Sequence, residues 1–320
     1  MKRDYWSEEA LAERQSAADM LNADLDHDAE GLDFELQEVL RETGQARVYR
    51  ASLDGAPIII KRFTTKDAAQ IVVRAKTELD HLEQVFGDSE YQANRCILAL
   101  PDKGIIVLSF APGQRLDDEI GRLSGQARAD VLAQSGRWIM KYAEGRTRTS
   151  TFAPGYWIRK LESLPKGHID APEDLDLPDR LLQALRLAAK PLGGTSALKA
   201  AVHSDFVGMN ALYHEGVLYG VDIQGECWMA MSRAVGRFLV WQQVHDDTDG
   251  MSRRFGLDRE DWRAFMSGDV LSELEQSTTL PFFIGVELYA RFISEYRRKR
   301  IRSNCRLAIE AFLSEKWGLV

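Results

Sequence analysis

Between Phe34 and Phe110 the residue pattern is that of strands, and beyond Ala111-Pro112-Gly113 it is that of helices. This switch constrains the fold more than any other feature of the chain. Phe34–Glu42, Ala46–Leu53 and Pro57–Phe63 read as three strands, with Thr43-Gly44-Gln45 in the first turn and Asp54-Gly55 in the second. Asp-Gly between two apolar runs is a strong hairpin signal, because both residues accept positive φ at low cost. A helix is expected from about Lys66 to Phe86, where Ile71, Ala75, Leu79, Leu82 and Phe86 recur at helical spacing. Arg95–Leu100 and Gly104–Phe110 complete the region as two more strands around Pro101-Asp102-Lys103-Gly104.

Helices then dominate. They are expected over Arg128–Glu144, Pro178–Lys190, 231–248 and 282–316, with a shorter one from about Asp258. Residues 145–177 read as irregular, and Ala211–His214 with Val217–Val221 as a hairpin around Glu215-Gly216. Residues 1 to about 30 are polar and acidic, with an amphipathic helix expected over Glu8–Leu25, started by Ser7. The class is therefore α+β: an N-terminal helical extension (1–30), a small β-rich N-lobe (31–110), a hinge (111–116) and a larger, mainly helical C-lobe (117–320).

A chain of 320 residues can supply two lobes with separate cores. Its net charge of −8 disfavours nucleic acid as a partner, since phosphate backbones require a concentrated positive surface. Cys96, Cys227 and Cys305 are odd in number and form no CxxC pair, which argues against a disulfide framework or structural zinc and for a reducing compartment. The start of the chain lacks the apolar run of a secretory signal, and no apolar run approaches the roughly 20 residues of a membrane span. A cytoplasmic protein without integral membrane contact is expected.

The strongest chemical signal is His203-Ser204-Asp205-Phe206-Val207-Gly208-Met209-Asn210, with Asp222 twelve residues after Asn210. The hairpin between them returns Asp222 toward Asn210. A carboxylate and an amide oxygen meeting in this way suit magnesium, a hard cation that keeps waters and phosphates in its other positions. Asp205, not needed as a ligand, is free to accept a proton from an attacking hydroxyl. A second signal is Lys61, placed inside the apolar, β-branched strand PIIIKRF, where an ammonium needs a partner.

The 203–224 segment resembles the catalytic loop of aminoglycoside phosphotransferases and their choline-kinase-like relatives, whose pattern is HGDxxxxN followed by an I/V-D strand end. The spacing matches at every polar position, with Ser204 standing where the family usually has glycine. The resemblance implies a protein-kinase-like fold, ATP and Mg2+ as cofactors, Asp205 as catalytic aspartate, Asn210 and Asp222 as magnesium ligands, and His203 as a brace of the loop. It also implies that Lys61 lies on the α- and β-phosphates, held by a glutamate of the next helix. Glu78 is the expected partner and Glu83 its competitor. Gly44 belongs to a segment similar to the phosphate-covering loop, and Ser109–Ala111, before Pro112-Gly113, to one similar to the hinge that holds adenine.

After Asp222 the chain has no DFG, no APE and little room for an activation segment, which favours a small-molecule hydroxyl acceptor: an amino alcohol, a sugar or an aminoglycoside-like compound. The alternatives are a lipopolysaccharide or saccharide kinase of the same fold, or a non-catalytic nucleotide-binding scaffold. The acidic residues Asp170, Glu173, Asp174, Asp176 and Asp179 read as a solvated loop or as an attractor of a cationic substrate. The basic run 297–302 reads as the outer face of a core-facing helix. The family often has a structural aspartate in the helix after the metal-binding strand, where this chain has Ser232-Arg233-Ala234-Val235.

Overall fold

The structure is a computed structural model that describes residues 34–166, 168–246 and 252–315, together with Asp19, Leu21 and Ala23. Those three residues apart, the helix expected over Glu8–Leu25, its Ser7 cap and the extension 1–30 lie outside the described residues. The chain divides into two compact units. One comprises Met1–Gln84, Ala93–Ala111 and Ile223–Gly225; the other comprises Val85–Gln92, Pro112–Asp222 and Glu226–Val320.

The first unit is built on strands β1 (Phe34–Glu42), β2 (Ala46–Leu53), β3 (Ala56–Phe63), β5 (Cys96–Leu100) and β6 (Ile105–Ser109), with helix α1 (Ala68–Phe86) following β3. The sheet order is β1-β2-β3-β6-β5, and the paired strands run antiparallel. Asp54 and Gly55 both take positive φ, as the hairpin signal requires. One face of the sheet is a core of Tyr49, Ala51, Ile58, Ile60, Ile105 and Val107, joined by Leu21. Each fully buried aliphatic chain here contributes about 1.5–3 kcal/mol. Because strand side chains alternate, Lys61 lies on the face opposite Ile58 and Ile60. Its register partners are Val48 on β2 and Ile106 on β6. Helix α1 buries Val72, Ala75, Leu79, Leu82 and Phe86, and Glu78 lies on that same stripe.

The short strand β4 (Tyr91–Ala93) follows α1. The second unit then holds β7 (Gln114–Arg115), α2 (Leu116–Arg122), α3 (Gly125–Tyr142), β8 (Thr147–Thr151), α4 (Pro154–Glu162), α5 (Leu177–Leu192), β9 (Ser196–Ala201), β10 (Ala211–His214), β11 (Val217–Gly220) and β12 (Trp228–Ala230). Helices α6 (Met231–His245), α7 (Arg259–Met266), α8 (Glu273–Ser277), α9 (Thr279–Ser294) and α10 (Lys299–Ser314) complete it, with β13 (Arg253–Arg254) and β14 (Leu257–Asp258) before α7. Two small sheets, ordered β4-β11-β10-β7 and β12-β9-β8, lie among the helices.

Three sequence expectations require correction. Residues 145–177 are not irregular throughout, since β8 pairs along its whole length with β9 and α4 follows. The 282–316 helix is two helices, interrupted at residues 295–298. The interruption has a tertiary cause. Tyr296 is buried, with its hydroxyl donating to Asp174 Oδ2 (3.1 Å) and accepting from the Ala171 N–H (3.0 Å). The acidic stretch is not simply solvated either. Asp174 is fully buried, with Arg302 and Arg306 each 3.7 Å from its carboxylate, and Glu173 meets Arg306 at 3.2 Å. Within the basic run Arg297–Arg300 are exposed and Ile301 is buried, so the run is the outer face of its helix, as expected. Among the described residues no helix is long and apolar enough to cross a membrane.

Candidate active site

The loop between β9 and β10 carries His203, Asp205 and Asn210, and an aromatic column holds it in place. Phe206 is fully buried, stacked on Trp138 of α3 (centroids 4.9 Å apart) and on Phe238 of α6 (4.9 Å); Phe238 in turn meets Phe265 of α7 at 5.0 Å. With Phe206 pinned, its neighbour Asp205 emerges with a side chain that is 52% exposed. Gly208 allows the loop to lie against α2, since a Cβ there would sit 2.7 Å from the Asp117 Cβ. The Ser204 departure costs nothing in backbone conformation, because Ser204 does not adopt positive φ.

The hydrogen bonds fix each polar atom. The Asp205 N–H donates to His203 Nδ1 (3.2 Å), so Nε2 carries the proton and donates it to the Val221 carbonyl at 2.8 Å. His203 thereby ties the Asp205 loop to the strand end that carries Asp222. Asn210 Nδ2 donates to the main-chain oxygen of Asp205 (2.9 Å) and to its carboxylate (3.1 Å). The amide is thus oriented with Nδ2 toward Asp205 and Oδ1 as its acceptor, an atom that could hold a cation. The Val221 N–H donates to the Asn210 carbonyl at 2.9 Å, continuing the β10–β11 ladder in which Ala211 faces Gly220. Asp222 follows directly, at φ 62°. Aspartate enters this left-handed region more readily than most residues, at a cost of about 1 kcal/mol.

A partner that sequence reasoning missed completes the loop. Arg237, on α6, donates from Nη1 to Asp205 Oδ1 (3.0 Å) and to the Ser204 carbonyl (2.9 Å). Its Nε lies 3.4 Å from the buried Glu287 of α9. The signal was present in the sequence: a charge inside an apolar helix, the same argument that singles out Lys61 in its strand.

In the first unit the expected nucleotide residues are separate features. Lys61 is half-buried on β3, its ammonium 5.0 Å from the Phe63 ring centroid. Of the two glutamates on α1, Glu78 is 3% exposed, whereas Glu83 is exposed and pairs with Arg95 at 3.8 Å. Gly44 sits in a turn closed by Thr43, whose Oγ1 accepts from the Gln45 and Ala46 N–H groups; a Cβ on Gly44 would meet only open space. At the hinge, the Ser109 N–H already donates to the Arg95 carbonyl (2.9 Å), and the Ser109 carbonyl accepts from Asn94 Nδ2 (2.6 Å).

Burial holds the His203 imidazole below its ordinary range, and the Val221 carbonyl and the Asp222 and Asp205 carboxylates oppose this only in part. The native state thus resists a proton that the unfolded chain takes up near pH 6.5. Stability present above that pH is lost as the pH falls below it. His245, also held low by burial, acts with the same sign. His203→Gln is therefore expected to show a smaller fall in Tm than the wild type between about pH 7.5 and about pH 5.5. Equal falls would show that His203 contributes nothing to the acid limb.

No family model matches the sequence, and no curated protein sequence matches it. Solved structures do match. Amicoumacin kinase, in complex with AMP-PNP, Ca2+ and Ami, superposes with a TM-score of 0.62 at 13% identity, covering 98% of this chain and 97% of the other. Aminoglycoside phosphotransferase APH(4)-Ia gives a TM-score of 0.61 at 12% identity over 92% and 98% of the two chains. The fold is that of the aminoglycoside phosphotransferases. A choline/ethanolamine kinase family protein from Mesorhizobium loti shares this phosphotransferase fold, with a TM-score of 0.58 at 16% identity over 93% and 95%.

Proposed function

We propose that the chain is an ATP-dependent phosphotransferase that moves the γ-phosphoryl group to a hydroxyl of a small molecule. The observation that carries this reading is the arrangement at 203–210. There an exposed carboxylate is oriented by Arg237 and Asn210, and its loop is braced by a neutral histidine. In the step proposed, the acceptor hydroxyl gives its proton to Asp205 and its oxygen bonds to the γ-phosphorus. The bond to the β–γ bridging oxygen breaks, and ADP leaves with that electron pair.

The donor set fits magnesium. Asn210 Oδ1 and the Asp222 carboxylate are two hard oxygen donors, and among the described residues no three His, Cys, Asp or Glu side chains group to hold a metal. Such a pair suits an ion that completes its shell with phosphate oxygens and water. When bound, magnesium neutralises charge on the transferring phosphates. Lys61 is assigned to the α- and β-phosphates with Glu78 as its orienting partner, a choice favoured by the burial of Glu78 and the exposure of Glu83. Gly44 is assigned to the turn over the phosphates and the Phe110–Ala111 backbone to adenine.

A small acceptor is supported by the short path from Asp222 to α6, which leaves only residues 223–230. The matched kinases also align over nearly their whole length. Acceptor-dependent ADP release, measured over sugars, amino alcohols, aminoglycosides and hydroxy acids, is expected to reveal at least one substrate. Nucleotide binding with no acceptor-dependent release would favour the scaffold alternative.

A further inference from the structure

Arg233 and Arg237 lie one helical turn apart on α6, and both approach the buried carboxylate of Glu287, at 3.5 Å and 3.4 Å. Arg237 is otherwise engaged by Asp205 and the Ser204 carbonyl. Arg233 is not matched in this way. Its Nε, the atom 3.5 Å from Glu287 Oε1, is buried in an ion pair that makes no hydrogen bond, its Nη1 meets the Met229 thioether at 3.8 Å, and its guanidinium lies 4.5 Å from the Trp157 ring centroid. Burial pushes this guanidinium below the ordinary arginine range; Glu287 opposes the shift, and Arg237 adds to it.

Arg128, elsewhere in this unit, is paired more fully, with both Asp261 oxygens, Asp246 and the Ile120 carbonyl all within 2.8 Å. Arg233 has a loose share of one carboxylate. A guanidinium taken so far out of water is costly unless an anion completes its pairing, and its fork suits a carboxylate or phosphate. Beside it the exposed Tyr156 stands edge-on to Trp157, with ring centroids 5.1 Å apart, an aromatic wall open to solvent. Four residues of helix separate Arg233 from Arg237, the partner of the base, which is about 6 Å along the axis. A small hydroxy compound can span that length.

We propose that Arg233, backed by Trp157, binds a carboxylate or phosphate group of the acceptor, so that the substrate is an anionic hydroxy compound and not an amino alcohol or aminoglycoside. The inference rests on the phosphotransferase reading for the word acceptor, but the anion site has a readout of its own. Calorimetry is carried out on the full chain with AMP-PNP saturating, which keeps the probes from any nucleotide-phosphate site. Glycerate, gluconate and tartrate form the carboxylate arm, glycerol phosphate the phosphate arm, and choline and kanamycin the cationic arm.

The wild type should bind at least one anion, with the arm identifying its source. Arg233→Gln should weaken that binding by at least about tenfold. Arg233→Lys, which keeps the charge without the fork, should fall between the two, and it serves as the test if Arg233→Gln melts before binding can be read. Arg159→Gln, on an exposed position of α4, should match the wild type. Absence of binding by every anion, equal binding by the wild type and Arg233→Gln, or, with ATP and magnesium in place of AMP-PNP, phosphorylation of the cationic arm alone would overturn the inference. The last of these would leave the phosphotransferase reading intact. Arg233-dependent anion binding with no phosphorylation of any acceptor would uphold the anion site and remove the phosphotransferase reading.

Discussion

Asp205→Asn is expected to lower turnover by about 10²–10⁴, the usual contribution of a positioned general base. The substitution keeps the shape of the side chain and leaves one oxygen to accept from Arg237. It turns a nitrogen toward Asn210 Nδ2, which loses one acceptor but keeps the main-chain oxygen of Asp205 at 2.9 Å. The loop therefore stays in place, with Phe206 still in its aromatic column, while the proton acceptor is gone. Affinity for AMP-PNP should barely change, because Asp205 is not assigned to the nucleotide. Steady-state kinetics and calorimetry on the same preparation separate these effects. Full activity in Asp205→Asn would mean that the base lies elsewhere.

Asp222→Ala should lose magnesium-dependent nucleotide affinity and turnover together. In the wild type, AMP-PNP should bind weakly without a divalent cation and more tightly with it, since Asn210 and Asp222 are proposed to act on the phosphates only through the ion. In Asp222→Ala the two titrations should coincide at the weak value. Alanine at φ 62° adds a backbone cost of about 1 kcal/mol, so Asp222→Asn, with a side chain better suited to that conformation, is the control for folding. Equal wild-type affinity with and without magnesium would remove the metal assignment.

Much of the first unit was legible because its signals are local. Asp54-Gly55 sets a hairpin, and the stripe Ala75, Leu79, Leu82 and Phe86 sets a helix whose buried face includes Glu78. On that helix Glu78 is buried and Glu83 exposed, a difference that the helical spacing alone places. The 203–222 segment stood out for a different reason: the spacing of His203, Asp205, Asn210 and Asp222 is set by one loop and one hairpin, both short in sequence.

The features that were missed depend on contacts between residues far apart in the chain. β8 carries only weak alternation, and its partner β9, rich in alanine, lies 45 to 53 positions away, so neither marks itself as a strand. The break before α10 follows from Tyr296 being drawn onto Asp174, which no helical periodicity encodes. Arg237 and Glu287 lie fifty residues apart on two apolar helices. Each could have been flagged as a charge needing a partner, but which charges meet is decided by packing. The aspartate that the family often has in α6 is absent here, and on this helix Arg237 reaches Asp205. The anionic acceptor is proposed on a different residue of the same helix, the loosely paired Arg233 beside Trp157.

The central claim is transfer of a phosphoryl group to a hydroxyl, and phosphorus NMR of the wild type with ATP, magnesium and an anionic hydroxy acceptor tests it most directly. The account predicts that the γ-phosphate resonance declines as a phosphomonoester resonance of the acceptor grows in equal amount, with ADP as the other product. Decline of the γ-resonance into inorganic phosphate alone, at the same rate with and without any acceptor, would contradict it.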